Sequence, residues 1–289
     1  MVSKQGLELK APHEIETIEY GLPQSTCRAE NIRVIDGHFT FDYLSPKAII
    51  KDVTMQVPGF HNIENAVAAI TIALHQKVRP EQIKEALMNF KGVKRRFEYV
   101  VKNQEIVYID DYAHHPAELE ALLTSAKALY PNKKITCIFQ PHLYSRTRDF
   151  AHEFAQSLSI ANEVILLDIY PAREMPIPGV TSEIIFQNIH SKNKKRCTTS
   201  TLLNTLSESN LEIVITAGAG DIDRCVPLIK DFLLKDKNNF QLLLLSCPLI
   251  IFFISTQKLQ LFFGLIYLFT AIYVFNFKIK NKIDFIPDF

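Results

Sequence analysis

The sequence predicts an α/β protein whose larger part is a mostly parallel sheet covered by helices on both faces. Three observations carry that expectation. From about residue 104 to 235, short apolar strand-like runs alternate with amphipathic helical runs, the order that joins parallel strands through helical crossovers. The residues of unusual chemistry gather at the ends of the strand-like runs, at Asp110 to His115, Gln140 to Arg148, Asp168 to Glu174 and Gly218 to Asp221. Upstream, about 12–57 consists of short alternating apolar stretches broken by turn residues, which read as a separate β-rich layer.

In that upstream layer the segments are "ETIEYGL", "NIRVIDGHFTFDYL" and "AIIKDVTMQVPG", and the "IDGHF" step has the chemistry of a tight hairpin turn. "HNIENAVAAITIALHQ" follows with Ile63, Val67, Ile70 and Leu74 at helical spacing. "RPEQIKEALMNF" predicts a second amphipathic helix with Pro80 in its first turn, and "KGVKRRFEYV" reads as a link. The alternating region then predicts strand "EIVYID", helix "PAELEALLTSAKALY", strand "KITCIFQ", helix "RDFAHEFAQSLS", strand "EVILLDIY", helix "SEIIFQNIH", strand "EIVITAG" and helix "DIDRCVPLIKDFLL". This is a Rossmann-like pattern, in which ligands bind beyond the carboxyl ends of the strands.

Composition narrows the partners. Thirty-two basic against thirty-one acidic residues leave a formal charge of +1, and no Lys/Arg block tracks a phosphate backbone, so nucleic acid is not expected. Five cysteines stand without a C-x-x-C, and "MVSKQGLELK" has no apolar core of a leader. Together these predict a protein of the reducing cytoplasm with neither disulfides nor a zinc site.

Five stretches carry chemistry. In "DDYAHHPAE" the paired carboxylates Asp110 and Asp111 can hold a ribose hydroxyl or a metal-bound phosphate, and His114 and His115 can donate to developing negative charge. A helix cap with surface histidines would need only one Asp. In "QPHLYSRTRDF", Arg146 and Arg148 offer forks for a carboxylate or phosphate and His142 a further donor. A solvated helix N-terminus is the plainer reading, although arginines at a helix start oppose its dipole. Asn62 and Asn65 share a helix face and can read the edge of an adenine, or Asn62 simply caps the helix. In "TAGAGDID" small residues let a ligand approach the backbone, and Arg95 and Arg96 in "KRRFE" serve equally as phosphate contacts or as a solvated hinge.

Taken in order, "GFHNIENAVAAI", "GVKRRFE", "DDYAHHPAE", "FQPHLYSRT" and "TAGAGDID" resemble the Mur ligase family over about residues 12 to 235. "DDYAHHP" followed by "QPH" and "RT" resembles the branch that joins L-alanine to UDP-N-acetylmuramate, with the muropeptide-recycling ligase as the nearest alternative. The resemblance implies ATP-dependent amide synthesis through an acyl phosphate, with Mg2+, in peptidoglycan precursor assembly. It implies that Asn62, Asn65, Arg96 and Asp111 lie by ATP, and that Tyr112, His114, His142 and Arg146 line the amino-acid end. Within that set Arg146 is expected to take the alanine carboxylate and His114 to face the reacting centre.

Three departures qualify it. Leu143 stands where many relatives carry an arginine, and no G-x-x-x-x-G-K-[ST] phosphate loop is present, so the metal ligands are expected upstream of this chain. The expected division is 1–92 as the end of the central ATP-binding domain, 93–237 as the complete Rossmann-like C-terminal domain, and 238–289 as an apolar tail. Such a chain is expected to be a truncated ligase, inactive alone, or a non-catalytic remnant that binds nucleotide or amino acid. The tail runs uncharged from Phe240 to Gln257 and again from Leu259 to Phe277, which is compatible with out-of-frame translation, a membrane hairpin tethering the chain to the inner membrane, or buried packing.

Overall fold

The computed structural model describes residues 2–4, 17–22 and 24–235. The apolar tail lies outside the described residues, and no helix among the described residues is long and apolar enough to cross a membrane. Two sheets with their helices share one compact unit and one continuous core.

The first sheet has the order β1-β2-β3-β4-β5, formed by β1 (Val2–Lys4), β2 (Ile18–Gly21), β3 (Cys27–Ile35), β4 (His38–Leu44) and β5 (Ile49–Met55). The predicted hairpin is present. Asp36 and Gly37 both take positive φ, 50° and 74°, the backbone that matches the twist of the β3 and β4 strands it joins. Phe39, Phe41, Tyr43 and Val53 point inward onto α1 (Phe60–His75), which buries Ile63, Val67 and Ile70 as its spacing required. α2 (Pro80–Asn89) begins at its proline and packs along β5.

The second sheet has the order β10-β9-β8-β11-β7-β6. Its strands are β6 (Glu98–Lys102), β7 (Val107–Asp111), β8 (Ile135–Phe139), β9 (Glu163–Leu166), β10 (Asn193–Arg196) and β11 (Ile213–Ala217). All neighbours run parallel except β6, which is antiparallel to β7. Every residue of β7, β8, β9 and β11 is buried, as strands covered on both faces must be. The connecting helices are α3 (Pro116–Leu129), α4 (Tyr144–Asp149), α5 (Ala151–Leu158), α6 (Glu183–Phe186) and α7 (Leu202–Ser207), with a 3-10 turn at Asp221–Arg224 and helix over 225–235. β11 returns between β7 and β8, so chain direction across the sheet reverses at β8 and β11, where such sheets open a crevice.

The sequence reading needs four corrections. The sheet has six strands rather than four, because β6 forms within the supposed link and β10 within the polar stretch "NKKR". α7 was not expected. The predicted helix "RDFAHEFAQSLS" is two helices that begin earlier and break at Phe150, so Arg146 and Arg148 sit in the last turn of α4, where the dipole favours them. The helix expected over "SEIIFQNIH" closes only at Glu183–Phe186.

Candidate functional site

β7 ends in the two carboxylates, and the structure uses them differently. Asp111 is buried, and its two oxygens accept the backbone N–H groups of Phe97 (2.7 Å) and Ala113 (2.7 Å). Burial pushes its carboxyl up to about 6 against the pull of those bonds and of Arg96. Asp110 is buried too, and receives Arg95 Nε at 3.0 Å and the Thr216 hydroxyl at 2.7 Å. Despite that pairing its carboxyl is held above the usual range, because desolvation outweighs both partners. Arg95 also donates to the Gly218 carbonyl at 2.6 Å, which ties the segment before β6 to the loop after β11.

Beyond Asp111 a row of rings crosses the sheet edge. Tyr112 lies under the guanidinium groups of Arg95 and Arg96, whose carbons stand 5.2 and 5.7 Å from its centroid. His114 meets Tyr112 edge-on at 5.2 Å and faces His142 at 6.1 Å. His142 in turn stacks on Tyr170 at 5.7 Å with planes 20° apart, and Arg146 Nη1 approaches its Nδ1 at 3.5 Å. Burial first, then the charges of Arg146 and His114, hold the His142 ring below its ordinary pKa. His114 Nδ1 lies 3.3 Å from Glu118, which also accepts the His114 and His115 backbone N–H groups. One carboxylate thereby starts α3 and orients the His114 loop.

A cleft of about 720 Å³ opens beside Arg96. Its walls are mostly apolar, including Val57, Ala69, Leu87 and Phe90, and His61, Asn62, Asn65 and Arg96 supply the polar groups. Asn62 donates to the Pro58 carbonyl at 2.7 Å, so it fixes the turn into α1 rather than capping that helix through its own oxygen. Thus Asn62, Asn65 and Arg96 line the cleft, Asp111 braces the strand end behind it, and Tyr112, His114, His142 and Arg146 form one row with Arg96 at its cleft end.

Two features were not foreseen. The glycines of "TAGAG" are filled by the chain itself: a Cβ on Gly218 would stand 2.8 Å from the Gln140 carbonyl oxygen, and one on Gly220 would stand 2.6 Å from Tyr170 Cβ. Gln140 sits in that turn, donating to Asp221 at 2.8 Å and accepting the Ile222 N–H at 2.9 Å. Tyr170 and Glu174 also escaped notice individually, because nothing in "IYPAREMP" announces the ring stack or the Glu174 bond to the Ser145 backbone N–H at 2.9 Å. Among the described residues no group of three His, Cys, Asp or Glu side chains could hold a metal ion.

Comparison with known proteins gives consistent matches. Residues 95–221 match the family described as "Mur ligase, glutamate ligase domain". The chain is 52% identical over 207 residues to UDP-N-acetylmuramate--L-alanine ligase of Parabacteroides distasonis, covering 72% of this chain and 45% of that protein. It is 44% identical over 238 residues to the protein of the same name from Phocaeicola vulgatus, covering 81% and 52%. Among solved structures it is similar to UDP-N-acetylmuramate-alanine ligase MurC from Thermotoga maritima, with TM-score 0.64 and 28% identity over 77% of this chain and 48% of that one. The chain therefore spans about half the length of the relatives it matches.

Proposed function

The chain carries a Mur ligase C-terminal domain, and from that premise we propose that it supplies the nucleotide-facing and amino-acid-facing surfaces of an ATP-dependent ligase joining L-alanine to the carboxylate of UDP-N-acetylmuramate in the cytoplasmic assembly of peptidoglycan precursor. The observation that carries the reading is the row from Arg96 through Tyr112, His114 and His142 to Arg146, because it connects an apolar cleft bearing two amides to a basic strand-end cluster. We divide the roles at 92/93, with the cleft helix α1 on the first side and the ring row on the second.

ATP, when bound, supplies the phosphoryl group that activates the muramate carboxylate. The chain's own residues then position and screen. Asn62 and Asn65 present amides to a purine edge, with the apolar walls of the cleft excluding water from its faces. Arg96 places its guanidinium, half-exposed and stacked on Tyr112, toward the phosphates. Arg146 offers a fork to the alanine carboxylate, and its charge beside His142 favours an anion there and disfavours a protonated imidazole. His114, held by Glu118, faces the reacting carbonyl, where a donor stabilises the charge that develops on its oxygen. Asp111 keeps Phe97 and Ala113 in place, so Arg96 and His114 are fixed from one carboxylate.

Calorimetric titration of the chain with ATP and with L-alanine tests the reading. Arg96→Ala should weaken ATP and spare alanine, and Arg146→Ala should do the reverse. Equal losses of both ligands in both variants, or no binding of either by the parent chain, would defeat it.

A further inference from the structure

Outside the row of rings, the segment between β9 and α6 is tied to the turn that carries His142 and Arg146. The Tyr170 N–H donates to the Pro141 carbonyl at 2.8 Å, and the Leu143 N–H donates back to the Tyr170 carbonyl at 2.9 Å. His142 and Tyr170 thus pair as an isolated parallel bridge as well as through their rings. Four residues on, Glu174 accepts both the backbone N–H and the hydroxyl of Ser145 in the first turn of α4. The turn so held is costly on its own. Leu143 has φ 72° and ψ 136°, a region that side chains with a Cβ avoid and keep only when neighbours over-determine it. Its carbonyl is also occupied, accepting the Thr147 N–H at 3.1 Å and hydroxyl at 2.8 Å.

We propose that Tyr170 is a positioning residue for the amino-acid end of the site: its backbone locks the Pro141–Leu143 turn, and its ring sets the plane of His142 and so the meeting of Nδ1 with Arg146. The proposal rests on the ligase reading above. An Nδ1 that accepts from Arg146 leaves the proton of the neutral ring on Nε2, so that nitrogen is a donor. A ring free to rotate would present either nitrogen. Tyr170 is joined to the opposite wall as well, since Gly220 must stay small to admit both the Gln140 side chain and Tyr170. The segment therefore reaches both loops that flank the β8–β11 crevice.

The test uses the full chain with labelled histidine and two variants, Tyr170→Phe, which keeps the stack, and Tyr170→Leu, which keeps bulk without an aromatic plane. Nitrogen shifts report the His142 tautomer and titration, with His142→Gln identifying its signals, and L-alanine is titrated against each chain. The parent chain and Tyr170→Phe should show the Nε2–H form titrating below the ordinary range. Tyr170→Leu should show mixed tautomers, a higher titration midpoint and alanine binding weakened roughly tenfold or more, with ATP binding unchanged. A Tyr170→Leu chain whose His142 keeps its parental tautomer and titration overturns the positioning role alone. A parent chain whose His114 and His142 signals ignore L-alanine overturns the ligase reading and this proposal with it.

Discussion

Asp111→Asn is the perturbation whose consequence can be worked most closely. The Asp111 carboxyl ionises near 6 in the folded chain against an ordinary 3.8. Between those values the folded chain holds a proton that the unfolded chain has released. The stability this gives is complete below 3.8 and is lost as pH rises through 6. At 1.36 kcal/mol per pH unit the window is worth about 3 kcal/mol, and a step from pH 4 to pH 7 captures about 2–3 kcal/mol of it. Asparagine does not titrate, so the variant lacks that step. Other carboxylates act in the opposite sense: Glu163, paired with Lys134 and bonded to Ser209 and Thr136, is held below its ordinary value and favours the fold at higher pH. The comparison is therefore the difference between the two chains. Urea unfolding of both at pH 4 and pH 7 should show the parent losing about 2–3 kcal/mol relative to Asp111→Asn on going to pH 7. Parallel behaviour over that range would refute the reasoning, by showing that Asp111 is either hydrated or compensated by its two N–H donors.

Three further substitutions address the same edge. Arg95→Ala leaves the buried Asp110 with Thr216 alone and should cost about 3–5 kcal/mol by thermal melting; Asp110→Asn in the same chain should recover part of the loss, and full additivity would mean that the pair does not interact. Gly220→Ala pushes a methyl against the Gln140 side chain and Tyr170 and should destabilise by about 1–3 kcal/mol, and an unchanged melting temperature would show that the turn can move aside. Leu143→Gly releases the positive φ and should stabilise the chain by about 1 kcal/mol if strain outweighs the added backbone freedom, with loss of stability as the contrary result.

The sequence made some of this legible and hid the rest for identifiable reasons. The short, β-branched, mostly apolar runs "VYI", "ITCIF" and "IVITA" read as strands covered on both faces, and the Asp36-Gly37 step as a tight turn, so β7, β8, β11 and the first hairpin were plain. β10 was not, because "NKKR" has no apolar face and is placed by main-chain pairing with β9. β6 hid because its residues alternate weakly and follow two arginines. At the site, the residue types of the ring row were visible in "DDYAHH" and "QPHLYSR", yet their neighbours depend on strand order. Arg95 finds Gly218 only because β11 returns beside β7, and His142 finds Tyr170 only because β8 lies beside β9.

β10 carries one more consequence. It is the outermost strand of the second sheet among the described residues, and an open edge is a template on which foreign strands can add. Three of its four residues are cationic, and each is anchored: Lys194 to the carbonyls of Phe186 and Ile189, Lys195 to Glu208, and Arg196 to Glu183. A strand arriving at 193–196 must approach this row of cationic side chains. Any barrier these charges raise against strand addition is electrostatic, so it should weaken where lysine acetylation removes charge or high salt screens it.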